Sequence, residues 1–236
     1  MSVDNSHQHI GIVACSAEGA ALCYRTICAE GAEVLGPHAH PEISMHTPPL
    51  NEYVACLERG DLQGVGDLML TSADKLAKCG ADFLICPDNT IHQALPLIEA
   101  HLPLPWLHIV DGVADTAIEQ GFCRLALTGT QWLVESDVYS KKLATLDLDC
   151  VRPNPTECAE INRIIMDELV YGVFKPESVT YLQQVIERMK DDGCDAAILG
   201  CTEISLVIND SNSRLPTLDS TRLLARAALN RATLNQ

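Results

Sequence analysis

The sequence predicts an α/β protein made of two pseudo-symmetric, three-layer domains with parallel sheets. The first observation is an internal repeat. The segment 80–90 (GADFLICPDNT) reappears at 193–203 (GCDAAILGCTE), and the same offset lays 11–16 on 124–129. Such a repeat indicates the architecture before any single element does. The second observation is that short apolar runs alternate with stretches of helical periodicity, which is typical of parallel sheets covered by helices on both faces.

The elements of the first half follow from the period of their apolar residues. A tight turn at 16–19 separates the first strand from the helix that follows it, and Gly80 ends the helix over 62–79. The predicted elements are strand 9–15, the helix after residue 19, helix 62–79, strand 82–86, helix 92–100 and strand 106–110.

The second half repeats this scheme. Its predicted elements are strand 123–128, a helix from about residue 131, a long helix 178–192 and strand 195–199. The last segment, 219–236, has an amphipathic pattern and is expected to pack back on the first domain as a helix. We therefore predict an N-terminal domain over 1–114 and a C-terminal domain over 115–218.

Composition restricts the function class. The 236-residue chain has a formal net charge of −16, which repels nucleic acid and anionic lipid surfaces. Its apolar runs are too short to span a membrane, and the polar start lacks the pattern of a secretory signal. Eleven cysteines without a CxxC pair argue against a disulfide framework and a zinc ribbon. We expect a cytoplasmic protein without nucleic-acid or membrane partners.

Cofactor motifs are missing from the sequence. It contains neither a GxGxxG segment nor a P-loop, the usual phosphate cradles of nucleotide cofactors. The alternation of His38, His40 and Glu42 offers metal ligands in principle, but such residues before Pro41 are more typical of a loop. We therefore expect no cofactor and no metal site.

The candidate site lies at the ends of the predicted strands, because ligands of parallel α/β sheets bind beyond the carboxyl ends of the strands. Four such ends carry hydroxyls, amides or backbone N–H groups: 15–16, 87–90, 128–130 and 200–203. These groups suit a carboxylate at a helix start. A small anionic ligand is therefore predicted between the two domains.

Two of these ends carry a side chain that can move a proton. Cys201 follows an apolar strand and Gly200, and it heads a predicted helix whose positive end favours a thiolate. Alone, it is also typical of a buried structural thiol, and Asp88 alone is typical of a helix cap. The repeat places both at equivalent positions, which favours a shared chemical role.

The residues around these positions resemble a known family. The segments 86–92 (CPDNTIH), Gly129-Thr130 followed by 136–139 (SDVY), and 199–204 (LGCTEI) are similar to the aspartate/glutamate racemase superfamily. The resemblance runs from about residue 11 to 224. It implies two Rossmann-like domains related by a pseudo-dyad and an acid/base pair at their interface, without pyridoxal phosphate or metal. It also implies a homodimer.

One position departs from the family. Typical members have a cysteine directly before the Asn-Thr of the first motif, where this chain has Asp88. Cys86 lies two residues earlier and is expected to point away from the site while Asp88 points in. The resemblance assigns the second catalytic cysteine to Cys201 and the first catalytic position to Asp88.

The remaining site residues are predicted contacts to the substrate. The resemblance implies contacts from Asn89, Thr90 and Thr202. Ser16 and Thr130 offer hydroxyls at other strand ends, and His46 is a candidate polar wall residue. A cation is expected to meet the substrate carboxylate. The candidates are Arg25, Arg163 and Lys175, of which Lys175, in the loop 171–176, is selected.

Three functions remain open from the sequence. The family favours a cofactor-independent amino-acid racemase of the aspartate/glutamate type, which needs an acid and a base that exchange roles. The reference pKa values of aspartate and cysteine, about 3.9 and 8.5, make the pair unequal. This inequality suits a one-base β-elimination, such as a lyase that cleaves dimethylsulfoniopropionate to acrylate and dimethyl sulfide. The third alternative is a non-catalytic amino-acid sensor.

Overall fold

The computed structural model describes residues 7–233 and divides them into two compact units. The first unit contains residues 7–109 together with 221–233, and the second contains 110–220. Residues 1–6 of the predicted polar start and 234–236 of the predicted C-terminal helix lie outside the described residues.

The first unit is built on a sheet of four parallel strands in the order β2-β1-β3-β4. The strands are β1 (Ile10–Val13), β2 (Ile43–His46), β3 (Phe83–Ile85) and β4 (Trp106–Leu107). The helices between them are α1 (Ala17–Leu35), α2 (Leu50–Glu58), α3 (Leu62–Lys78) and α4 (Leu95–Ile98). Met69 and Leu76 of α3 are buried with Leu84 in one apolar cluster.

The second unit repeats this arrangement, with four parallel strands in the order β6-β5-β7-β8. Its strands are β5 (Arg124–Thr128), β6 (Asp149–Val151), β7 (Ala196–Leu199) and β8 (Thr217–Asp219). Its helices are α5 (Ile109–Gln120), α6 (Gln131–Glu135), α7 (Val138–Ala144), α8 (Pro155–Asp167) and α9 (Pro176–Asp191). The predicted fold class is confirmed: the chain forms two α/β sheets of identical strand order.

The C-terminal helix α10 (Ser220–Thr233) belongs to the first unit from Thr221 onward. Arg226 of this helix forms an ion pair with Glu30 of α1 at 2.9 Å, and the guanidinium of Arg231 lies 4.6 Å from the ring centroid of Phe83. The predicted domain boundary after residue 114 lies inside α5, and the chain passes between units at the start of this helix.

Equivalent glycines end the helices that precede β3 and β7. Gly80 follows α3 with a φ of 89°, and Gly193 follows α9 with a φ of 92°. A side chain with a Cβ rarely adopts this left-handed conformation, so glycine is the residue that ends the helix without strain. The repeat therefore encodes the same helix-to-strand turn twice.

Equivalent aspartates bind the amino ends of the neighbouring strands. The carboxylate of Asp82 accepts a hydrogen bond from the N–H of His9 at 2.7 Å. The carboxylate of Asp195 accepts bonds from the N–H groups of Cys123 at 2.7 Å and Arg124 at 3.0 Å. Because both acids lie at the amino edge of their sheet, they serve the fold rather than the predicted site at the opposite edge.

Two predicted elements differ in the structure. The helix expected over 92–100 consists of a 3₁₀ turn at Thr90–Ala94, the short α4 and a second 3₁₀ turn at Glu99–His101. A proline in the first turn of α4 lacks the N–H needed to continue an α-helix from the preceding turn.

The strand expected over 106–110 ends at Leu107, and α5 begins at Ile109. Ile109, Val110, Val113 and Ala117 are all buried, which matches helical spacing. A short apolar run fits both a strand and a buried helix turn, so its local pattern was ambiguous.

Among residues 7–233, no helix has both the length and the apolar character required to cross a bilayer.

Candidate active site

Asp88 lies in the turn that follows β3. Its Oδ1 accepts a hydrogen bond from the N–H of Ile91 at 3.1 Å, and the residue is half-buried. This bond is typical of a helix cap, the role that the sequence analysis gave as the alternative to an acid/base role. A carboxylate has two oxygens and about four lone-pair sites, so a capping bond is compatible with a further role of the group. Asn89 and Thr90 follow in the same turn and are buried.

His92 forms a hydrogen bond with the backbone of the turn that carries Asp88. Its Nδ1 donates to the backbone carbonyl of Asp88 at 2.6 Å, and its Nε2 accepts from Nε1 of Trp106 at 3.3 Å. Burial lowers the pKa of His92 well below its usual value, and the neighbouring His108 lowers it further. His92 is therefore a neutral structural donor.

Tyr53 of α2 is a fully buried neighbour of this turn. Burial raises the pKa of its phenol, and the nearby Cys86, Cys15 and Asp88 raise it further. Cys86 belongs to the apolar cluster of the first unit, and burial raises the pKa of its thiol well above the usual value. Tyr53 and Cys86 are thus neutral groups beside Asp88.

Ser16 caps α1, the helix that follows β1, and Thr130 caps α6, the helix that follows β5. Ser16 Oγ accepts from the N–H of Gly19, and Thr130 Oγ1 accepts from the N–H of Leu133, both at 3.2 Å. The Ser16 hydroxyl, which accepts this bond, also has a proton to donate. Both positions lie at the carboxyl edge of their own sheet, where the sequence predicted substrate contacts.

His46 is the last residue of β2 and is bound by two side chains of α3. Its Nδ1 lies 2.9 Å from Ser72 Oγ, and its Nε2 lies 2.8 Å from Lys75 Nζ. Burial lowers the pKa of His46, and the Lys75 ammonium lowers it further. The imidazole is therefore neutral at physiological pH, and its neighbourhood is cationic because of Lys75.

Cys201 lies in the turn that follows β7, and the helix predicted to begin there is absent. The chain turns through 201–203 and forms only a 3₁₀ segment at Ile204–Leu206. A single 3₁₀ turn has almost no dipole, so the expected stabilisation of a thiolate by a helix terminus is wrong. Instead, Sγ of Cys201 donates a hydrogen bond to Oε2 of Glu203 at 3.0 Å. Cys201, Thr202 and Glu203 are all buried.

Gly200 allows the Cys201 turn to pack against β5. Its N–H donates to the carbonyl oxygen of Thr128 at 2.9 Å. A Cβ at this position would lie 2.6 Å from that oxygen and 2.7 Å from Cδ2 of Leu133. The close approach of two backbones therefore requires glycine directly before the thiol.

Lys175 is the residue directly before α9, and its side chain binds a buried carboxylate. Its Nζ lies 3.2 Å from Oε1 of Glu168. Arg163 Nη1 donates to the same oxygen at 2.8 Å, and Ser178 Oγ donates to Oε2 of Glu168 at 2.6 Å. These hydrogen bonds, that of Ser178 first, lower the pKa of Glu168 to about 2. Two of the three predicted cation candidates, Lys175 and Arg163, therefore share one acid in the second unit, while Arg25 is exposed on α1.

Each sheet thus assembles part of the predicted set at its carboxyl edge. The first unit holds Ser16, His46, Asp88, Asn89 and Thr90 there, and the second unit holds Thr130, Cys201 and Thr202. Sequence reasoning missed Tyr53, Glu168 and Glu203. The repeat contained a signal for Glu203 alone, since it aligns this acid with the predicted contact Thr90.

Among residues 7–233, no group of three or more histidine, cysteine, aspartate or glutamate side chains is arranged to hold a metal ion.

Comparison with known proteins gives one family. The family described as Asp/Glu/Hydantoin racemase matches residues 11–228 of the chain. RacX of Bacillus subtilis, a broad specificity amino-acid racemase, is 24% identical over 165 residues, which make up 69% of this chain and 70% of RacX.

Solved structures share the fold over nearly the whole chain. A proposed Asp/Glu racemase from Yersinia pestis has a TM-score of 0.87 at 30% identity, covering 95% of this chain and 99% of that one. An aspartate racemase homologue from Pyrococcus horikoshii OT3 has a TM-score of 0.82 at 26% identity, with coverages of 96% and 99%. A glutamate racemase from Francisella tularensis in complex with D-glutamate is similar in fold, with a TM-score of 0.68 at 13% identity and coverages of 94% and 80%.

Proposed function

The chain belongs to the Asp/Glu/hydantoin racemase family, and we propose on this premise that it is a cofactor-independent racemase of aspartate- or glutamate-type amino acids. Asp88 and Cys201 are the proposed acid/base pair. RacX and the structurally similar racemases support the class of reaction. The choice between substrates rests on the side chain that the site accepts, which the assay below determines.

The observation that carries this proposal is the equivalence of the two turns. Asp88 follows β3 and Cys201 follows β7, and these are the third strands in two sheets of the same order. Each unit therefore supplies one side chain that can move a proton, at the sheet edge where parallel α/β proteins bind ligands. Inversion of an α-carbon needs such a pair, because the proton leaves one face and another arrives on the opposite face.

The hydrogen bonds of the two side chains match these roles. Oδ1 of Asp88 accepts a bond from the N–H of Ile91, and the Cys201 thiol donates a bond to Glu203. In the proposed reaction, Asp88 takes the α-proton and Cys201 delivers its own proton to the other face. The proposed substrate contacts are Asn89, Thr90, Thr202, Ser16, Thr130 and His46.

We propose Lys175 as the cation that binds the substrate carboxylate. Its side chain is 47% exposed, and its bond to Glu168 is the longest of the three that this acid accepts. If Lys175 turns to a substrate, Arg163 and Ser178 still satisfy Glu168, so no buried charge is left alone.

The Lys175→Met variant tests this role. We expect KM to rise at least about tenfold with a small change in kcat, because a lost charge-assisted hydrogen bond costs roughly 1.5–3 kcal/mol. Arg163→Met is the matched control, since it removes another cation from Glu168. An unchanged KM in Lys175→Met, or an equal rise in both variants, contradicts the assignment.

The proposed function is tested by product identity. Purified protein, dialysed against EDTA and without added cofactor, is incubated in deuterated water with each enantiomer of aspartate and glutamate and with dimethylsulfoniopropionate. A racemase must produce the opposite enantiomer with deuterium on its α-carbon. We expect this result with at least one of the amino acids.

The other outcomes identify the alternatives. Release of acrylate and dimethyl sulfide identifies a lyase, and saturable binding without turnover identifies a sensor. Loss of activity on dialysis, restored by zinc or manganese, contradicts the cofactor-independent mechanism.

A further inference from the structure

Cys201 and Glu203 form a buried pair within the second unit. Sγ lies 3.0 Å from Oε2, and the two residues are only 8% and 5% exposed. Hydrogen bonds that involve an ionised partner are shorter and stronger than neutral ones. A buried carboxylate directly beside a thiol favours the protonated thiol, because a thiolate there would place two negative charges side by side.

The Glu203 carboxyl group forms a hydrogen bond with this thiol, which belongs to the apolar cluster of the second unit. That cluster contains residues of β5, α8, α9 and β7, together with Ile204 and Ile208. The buried acids in and directly after α8 are paired with cations: Glu157 with Arg188, and Glu168 with Arg163 and Lys175. Besides Cys201, this cluster contains two titratable groups, Cys194 and Tyr181. Burial is the main cause that raises the pKa of each, so both are neutral.

The first unit has no acid at the equivalent position, since the repeat aligns Glu203 with Thr90. The two turns therefore differ in one further charge besides the exchange of aspartate for cysteine.

We propose that Glu203 is a positioning residue that holds the Cys201 thiol protonated, so that the resting enzyme has one dedicated base, Asp88, and one dedicated acid, Cys201. This inference rests on the proposed racemase function. In the reaction, the α C–H bond breaks and its proton passes to the Asp88 carboxylate. The S–H bond of Cys201 breaks, and its proton forms the new C–H bond on the opposite face.

The resting form is restored through solvent. Turnover leaves a thiolate beside the Glu203 carboxylate, and this unfavourable pair takes a proton from water while Asp88 releases one. The resting enzyme therefore reacts with the enantiomer whose α-hydrogen faces Asp88. Because free enantiomers have equal energies, kcat/KM must be the same in both directions. The asymmetry therefore appears as a larger kcat and a proportionally larger KM for that enantiomer.

The protonation of Cys201 is measured directly by alkylation. The native protein is treated with iodoacetamide across a pH series, and labelling of the Cys201 peptide is followed by mass spectrometry. We expect the wild-type midpoint at or above the ordinary thiol value of about 8.5. In Glu203→Gln we expect the midpoint to fall by about one unit or more, with a tenfold or greater rise in labelling rate at pH 7.

Two further variants control for structure and for distant charge. Glu203→Asp retains the carboxylate and is expected to keep the midpoint nearer to wild type than the amide does. Glu187→Gln removes an exposed acid of the same unit, which is paired with Arg214, and is expected to leave the midpoint unchanged. In Glu203→Gln, the ratio of kcat values for the two enantiomers should also approach one.

A wild-type midpoint below about 7 overturns the inference, and so does an unchanged or higher midpoint in Glu203→Gln. Because labelling needs no turnover, its result is independent of the proposed function. A protein with the expected midpoints but no racemisation retains the Cys201–Glu203 pair and loses the racemase assignment.

Discussion

The turn after β3 and the turn after β7 occupy the same place in two sheets of identical order, yet their hydrogen bonds run in opposite directions. In the first turn the Asp88 carboxylate accepts a bond from the backbone of Ile91. In the second turn the Cys201 thiol donates a bond to the side chain of Glu203. The repeated architecture thus keeps the position of the proposed reactive group and changes its chemistry.

The amino edge of each sheet carries one member of an equivalent pair of residues that are identical in the two halves of the repeat. Asp82 and Asp195 are also equivalent, and both accept bonds from backbone N–H groups at the start of the neighbouring strand. Asp82 and Asp195 are identical in the repeat and have one structural role, whereas the proposed proton-transfer residues Asp88 and Cys201 differ. The following variants test this contrast.

The largest expected effect is at the thiol. Cys201→Ser should lower kcat at least about 10²-fold, because a hydroxyl is a far weaker acid than a thiol at nearly the same volume. Circular dichroism should show an intact fold. Cys194→Ser, a buried thiol of the same unit, is the matched control and should retain most of the activity. More than about a tenth of wild-type kcat in Cys201→Ser contradicts a role in proton transfer.

Asp88→Asn separates the base from the cap. The amide oxygen can still accept the bond from Ile91, but it cannot take up a proton at working pH. We expect kcat to fall by about 10²–10⁴-fold, with a loss of unfolding free energy of about 1 kcal/mol or less. Asp88→Cys should regain part of the racemisation, since it makes the pair symmetric. Full activity in Asp88→Asn would return this residue to a capping role alone.

Gly200→Ala tests the backbone contact beneath the thiol. The added Cβ would lie 2.6 Å from the carbonyl oxygen of Thr128, so the turn that carries Cys201 must shift. We expect a loss of roughly 1–3 kcal/mol in unfolding free energy, together with a lower kcat. Pro87→Ala changes the equivalent position of the first unit. It should cost about 0.4–1 kcal/mol, since it mainly affects the unfolded chain. Equal stability of the two variants contradicts the close approach.

The smallest effects on kcat are expected at Asp82 and Asp195, which are identical in the repeat. Asp82→Ala and Asp195→Ala should each lower the unfolding free energy by about 1 kcal/mol per lost hydrogen bond. Asp195→Ala should cost more, because Asp195 accepts two backbone bonds and Asp82 accepts one. Denaturant unfolding measures both, and kcat of the folded protein should remain unchanged. A selective loss of kcat in either variant would contradict a purely structural role.

Local patterns determined much of this protein in advance. The repeat, the period of the apolar residues and the two helix-ending glycines predicted the parallel sheets and the strand ends where Asp88 and Cys201 lie. These features depend on short-range geometry, which a sequence encodes directly. The errors occurred where local signals were ambiguous, as in the short apolar run that ends at Leu107 and continues as α5.

The partners of the side chains were decided by tertiary structure. In a helix, residues two apart point to different sides, so the helix predicted after Cys201 would have separated its thiol from Glu203. The turn that forms instead, packed against β5 through Gly200, brings the two groups to 3.0 Å. Likewise, Lys175 meets Glu168, and Tyr53 comes beside Asp88, because distant segments pack together. The sequence alone determined where reactive groups occur, and packing determined which neighbours set their chemistry.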